Sequence, residues 1–143
     1  MLNIHVLHPV FYFMPVNLLA HTFTKQEKLC SPKQLDILFE KGKSFYQTPV
    51  RFVFFETEQL QPFPAQIVVS VSKRNFKKAV DRNRIKRLIR ENYRLNKSNL
   101  YQHLHLKNKN ILLAITYIGK DLPEFAIIET SITKGLQKLI TLV

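Results

Sequence analysis

The chain has 143 residues, 45% of them hydrophobic, and 22 Lys and Arg against 10 Asp and Glu give it a formal net charge of +12. That apolar share excludes a disordered basic tail and is enough for one domain with its own core. A folded body with such an excess calls for a polyanion, so nucleic acid is the leading partner class and an anionic membrane surface the second.

Residues 1–21 form an apolar N-terminal extension without Lys, Arg, Asp or Glu. It lacks the basic leading region of a signal peptide, and Pro9, Pro15 and three histidines argue against a membrane span. Met14 offers a second start, so two readings stand: a start mis-assigned at Met1, or a loosely ordered extension. The single cysteine, Cys30, excludes an internal disulfide and a cysteine-based zinc cluster, and fits a cytoplasmic protein. One domain is expected over 22–143.

Ser31-Pro32-Lys33-Gln34 predicts a helix start: Ser31 as N-cap, Pro32 at the first position, Gln34 closing a capping box. Leu35, Leu38 and Phe39 continue at helical spacing, and Gly42 ends the helix. A short strand around Ser44–Gln47 is an option, and Val50–Phe55, β-branched and aromatic, reads as a strand. Gln66–Ser72 alternates Ile67, Val69 and Val71 against Val68, Ser70 and Ser72, and is expected to pair with Val50–Phe55 as a hairpin.

Ala79–Leu95 reads as a second helix, with Ile85, Leu88, Ile89, Tyr93 and Leu95 in one arc and Lys86, Arg87, Arg90 and Arg94 in the other. Ile111–Ile115 is a continuous apolar run, a strand buried on both faces. Pro123–Leu142 repeats Ile128, Ile132, Leu136 and Ile140 and predicts a third amphipathic helix. The order α-β-β-(β)-α-β-α is an α+β fold, with about four strands in a small mixed sheet packed with three helices.

The charge is local. Between Lys73 and Lys97 stand eleven basic residues against Asp81 and Glu91, so this segment carries nine of the twelve net positive charges. Cations at i, i+3 and i+4 on one helical face form a row that can straddle successive phosphates, and arginine forks hold two phosphate oxygens at once. Asn83, between two arginines, can address a 2′-hydroxyl or a base edge. The predicted RNA-binding set is Lys73, Arg74, Lys78, Arg82, Asn83, Arg84, Lys86, Arg87, Arg90 and Arg94. A membrane-binding helix would need its apolar arc at the interface, and here that arc serves the sheet.

No catalytic constellation emerges. Asp36 with Glu40, and Glu56 with Glu58, read as solvated faces, and His103 with His105 has no third ligand nearby in sequence. Gly42, Gly119 and Gly135 stand too far apart for a phosphate-cradling loop.

The run Lys78-Ala79-Val80-Asp81-Arg82-Asn83-Arg84-Ile85-Lys86-Arg87-Leu88-Ile89-Arg90-Glu91 resembles the Arg-Asn-Arg signature of the bacterial ribonuclease P protein component family. Val69–Arg74 is similar to the strand that leads into that signature, and the likeness spans about Thr22 to Ile140. The resemblance implies a left-handed βαβ crossover and a basic cofactor of a ribozyme. In that family the RNA subunit holds the catalytic Mg2+ and removes the 5′ leader of precursor tRNA, so no catalytic residue and no metal are expected in the protein itself. The implied partners are the catalytic RNA and the 5′ leader, with no membrane and no obligate protein partner. Phe39 matches an aromatic position of the leader cleft. Leu35 stands where the family usually has a second ring, and Phe52 and Phe54 are the candidates to supply it from the strand, with core packing as the alternative reading for both and for Phe39. The loop Arg74–Lys77 departs from the family in carrying Phe76 and no glycine. A ribosomal-type RNA binder and a metal-dependent nuclease are the alternatives from other classes.

Overall fold

A computed structural model describes residues 22–59 and 61–143, so the N-terminal extension and the alternative start at Met14 lie outside the described residues. After a 3-10 turn at Lys25–Glu27, the elements run α1 (Pro32–Lys41), β1 (Lys43–Gln47), β2 (Val50–Thr57), β3 (Ala65–Val71), α2 (Ala79–Asn96), α3 (Ser98–Leu106), β4 (Asn110–Tyr117) and α4 (Phe125–Leu142). The strands form one sheet in the order β1-β2-β4-β3.

The expected hairpin between β2 and β3 does not form. β4 lies between them, antiparallel to β2 and parallel to β3. The reason lies in β4 itself: Ile111 to Ile115 are all buried, and a strand apolar on both faces needs neighbours on both edges and layers above and below. β2 takes its hairpin partner from β1 instead, through Thr48 and Pro49.

Strand alternation splits the apolar residues between two cores. Phe45, Phe52, Phe54, Ile67, Val69, Leu113 and Ile115 face α2 and α4, meeting Ile85, Ile89, Ile128, Ile132 and Leu136. Val53, Leu112 and Ala114 face α1 and meet Leu29 and Leu38, with Leu35, Phe55 and Val68 at the margin. Gly135 lets α4 pass directly over Phe52, because a Cβ there would lie 2.2 Å from the Phe52 ring.

Three local expectations change. α3 is a fourth helix beyond the three expected, and it follows α2 after one residue, Lys97, which keeps helical backbone angles. Its Leu100, Tyr101 and Leu104 are fully buried at helical spacing. In α2, Leu95 is 46% exposed and Asn92 takes the inward place; its Nδ2 donates to the Leu88 carbonyl at 3.0 Å. At the start of α1, Ser31 Oγ accepts from Gln34 N at 3.4 Å, but the Gln34 side chain turns to Gln59 Oε1 at 2.7 Å, so only half of the capping box exists.

Candidate nucleic-acid interface

α2 lies on the sheet through Ile85, Ile89 and Tyr93, all without exposed surface. Its outer side then carries Asn83, Arg84 and Arg87 exposed, with Lys86 and Arg90 partly so. Among the described residues, no side-chain hydrogen bond or ion pair engages Asn83, Arg84, Lys86, Arg87 or Arg90. A row of unmatched cations on one helix face is a surface for phosphates.

Two members of the predicted set have partners inside the protein. Arg82 Nη1 donates to the carbonyls of Phe76 and Lys77, both at 2.8 Å, and so braces the connection from β3 to α2. Arg94 pairs with Glu91 through Nη2 to Oε2 at 2.5 Å and Nε to Oε1 at 3.3 Å. The bond to Arg94 holds the Glu91 carboxyl below its usual range. Lys73, Arg74 and Lys78 are exposed on the β3–α2 connection. That connection has no need of glycine: Phe76 is buried beside Tyr117, ring centroids 5.9 Å apart, and anchors it.

The predicted leader residues separate. Phe39 projects from α1 at 52% exposure, while Leu35 packs into the smaller core. Phe52 and Phe54, at 0% and 4% exposure, lie in the core on the sheet face away from α1 and line no cleft. Strand parity is the cause: the β2 residues on the α1 face are Arg51, Val53 and Phe55.

The same register aligns a row that the sequence did not reveal. Tyr46, Arg51, Thr116 and Ser70 are successive cross-strand partners over all four strands. Tyr46 is 59% exposed, and the Arg51 guanidinium stands 5.9 Å from its ring centroid. Arg51 Nε is buried without a hydrogen-bond partner. Ser70 and Thr116 share a hydroxyl bond of 2.8 Å. Gln34 ties one flank of α1 to Gln59, beyond the far end of β2; Phe39, about 140° round the helix from Gln34, is therefore on the flank toward this row. Phe39, Tyr46 and Arg51 thus stand on the same, α1-bearing side of the sheet. The signals present in the sequence were an arginine inside an apolar strand and a tyrosine on a short edge strand; their shared face depended on the register.

Residues 23–139 match the protein family described as Ribonuclease P. The chain is 34% identical over 116 residues to a ribonuclease P protein component of Porphyromonas gingivalis, covering 81% of this chain and 85% of that one. It is 32% identical over 135 residues to the one of Chlorobium phaeobacteroides, covering 84% and 89%. Among solved structures it is similar to the RNase P protein of Staphylococcus aureus, with a TM-score of 0.64, 21% identity and coverage of 80% of this chain and 95% of that one. The RNase P protein from Thermotoga maritima gives a TM-score of 0.60 at 19% identity, covering 78% and 96%.

Proposed function

The chain belongs to the ribonuclease P protein family, and on that premise we propose that it is the protein subunit of a ribonucleoprotein that removes the 5′ leader of precursor tRNA. The observation that carries this reading is the unmatched row Arg84, Lys86, Arg87 and Arg90 on α2. It takes the phosphates of the catalytic RNA, with Lys73, Arg74 and Lys78 extending the surface across the β3–α2 connection. The sheet side that carries Phe39, Tyr46 and Arg51 takes the single-stranded leader.

In this reading the chemistry belongs to the RNA, which holds the magnesium ions. Among the described residues, no three of His, Cys, Asp and Glu stand together as a metal site. The part played by the protein is electrostatic: each lysine or arginine placed against a phosphate releases counterions and lowers the repulsion between leader and ribozyme. Less Mg2+ then suffices for the same assembly. No described helix is long and apolar enough to cross a membrane, and a cytoplasmic place beside the tRNA precursors follows from the reading.

The test is reconstitution of the full chain with its cognate RNA subunit across a magnesium titration. The protein is expected to lower the Mg2+ and salt-sensitive threshold for leader removal, and to cleave nothing alone. Cleavage of precursor tRNA by RNA-free protein would overturn the reading, and binding without stimulation would favour a purely structural RNA binder.

A further inference from the structure

The cationic row borders a groove that also holds an aromatic ring. Phe23, Asn83, Arg87, Arg90, Glu91 and Arg94 line an open hollow of about 370 Å³. Phe23 and Arg90 also line an adjoining hollow of about 170 Å³ that reaches Cys30 and Val68. The first volume is at the lower end of those that hold small organic ligands.

The Phe23 ring packs against α2, and its neighbours in the chain are hydrogen-bonded. It stands edge-on to Tyr93, with centroids 6.1 Å apart and an interplanar angle of 79°. Thr24 N donates to Glu27 Oε2 at 2.7 Å, and Lys97 Nζ donates to the Thr22 carbonyl. A phenyl ring left partly exposed beside arginines is a poor arrangement for water alone. A nucleotide satisfies both halves of it, with a flat π-face for the ring and a phosphate for the guanidinium groups.

Resting on the RNA-binding reading, we infer that this groove is a niche for one unstacked nucleotide, its base on Phe23 and its phosphate between Arg87 and Arg90. Asn83 presents a donor and an acceptor to the base edge, and Glu91 an acceptor. The nucleotide comes from the catalytic RNA that covers α2 or from the leader, and the two sources are separable by experiment.

The chain has no tryptophan, so Phe23→Trp places a single fluorophore in the niche. Its emission is expected to be quenched by the transcribed catalytic RNA if that RNA supplies the base, or by a leader-sequence oligonucleotide if the leader does. Phe23→Leu should weaken binding of the same RNA by about 5-fold or more, Phe23→Tyr should restore it, and the salt slope should stay as in the parent chain. Unquenched emission in both complexes, formed at saturation, rejects the niche. So does parental affinity of Phe23→Leu for both RNAs. In either case a loss of affinity in Arg87→Ala leaves the RNA-binding reading standing, whereas parental affinity in Arg87→Ala overturns that reading too. The tryptophan variant keeps an aromatic ring, so the optical readout holds even if the leucine variant is unstable.

Discussion

Lys97 and Glu27 form an ion pair in the interior, with no exposed surface on either side chain, although 70 residues separate them in the chain. Burial of two charges costs several kcal/mol per ion unless every lone pair and proton finds a partner. Here Glu27 also accepts from Tyr101 Oη at 2.6 Å and from Thr24 N at 2.7 Å, so the pair ties the segment before α1 to the junction of α2 and α3. Removal of one partner, in Glu27→Gln or Lys97→Met, leaves the other uncompensated and should lower the unfolding free energy by about 3–5 kcal/mol. The double variant Glu27→Leu/Lys97→Met should lose clearly less. Urea denaturation of the three variants checks this, and equal losses in all three would deny the coupling.

The same cluster should set the alkaline limit of stability. Burial pushes the phenols of Tyr93 and Tyr101 well above their ordinary value. In the unfolded chain they ionise near pH 10, so their contribution is complete below about pH 10 and is lost above it, by about 1.4 kcal/mol per pH unit for each phenol. Burial acts on Lys97 in the opposite direction and lowers its value despite Glu27. Below about pH 10.4 the unfolded chain therefore holds that proton more firmly, and the Lys97 contribution rises with pH. Two phenols outweigh one amine, so denaturation curves from pH 8 to 12 should bend downward above pH 10. Tyr93→Phe should make that descent shallower by about 1.4 kcal/mol per pH unit; an unchanged descent would place the alkaline sensitivity elsewhere.

Arginines of α2 should differ according to whether an acid already meets them. Arg84→Ala and Arg87→Ala should each weaken RNA binding and reduce the slope of log affinity against log salt by about 0.7–0.9. Arg94→Ala should reduce it less, because Glu91 bonds that guanidinium before RNA arrives. Titrations at several salt concentrations separate the cases, and a full unit lost from Arg94→Ala would mean that the ion pair opens in the complex.

Gly135 and Phe52 make a second kind of test. A Cβ at Gly135 would fall 2.2 Å from Cε1 and Cζ of the Phe52 ring, and that ring is already stacked on Phe45 at 5.0 Å. Gly135→Ala should therefore destabilise by about 1–3 kcal/mol through overpacking. Phe52→Leu in the same chain should return part of the loss, a favourable coupling that thermal unfolding of the double-mutant cycle can read.

Much of this architecture is legible in the residues alone. The cap of α1 and the periodicity of α1, α2 and α4 mark those helices, and the run Ile111–Ile115 marks a central strand. What it does not disclose is the neighbour relation. Nothing local in Val50–Phe55 and Gln66–Ser72 tells that a third strand, some forty residues later, will lie between them, because pairing is decided by which strand most needs burial on both faces. The same gap hides the row Tyr46, Arg51, Thr116 and Ser70. Arg84, Arg87 and Arg90 could be assigned to a surface because helical spacing fixes a face without any partner. Phe52, Phe54, Tyr46 and Arg51 could not, since a strand residue has a face only once its sheet is known. Lys97 is the converse case: it belongs to the basic run by sequence, yet Glu27 draws it into the core.

The division of aromatic residues by sheet face yields the last prediction. Phe52→Ala empties a fully buried site in the larger core and should cost about 3–5 kcal/mol of stability. At a temperature where the variant remains folded, it should bind leader-bearing and mature tRNA in the parental ratio. Phe39→Ala removes a half-exposed ring and should hardly change stability, but it should weaken leader-bearing substrate more than mature tRNA by the loss of a base stack, worth about 1–3 kcal/mol. Tyr46→Ala should share this leader-specific loss. Arg51→Ala should add a smaller salt slope to it, because its guanidinium stands beside the Tyr46 ring. Paired affinity measurements on precursor and mature tRNA decide the matter: equal losses on both substrates for Phe39→Ala and Tyr46→Ala would remove the leader from this face of the sheet and leave only the cationic face of α2 for RNA.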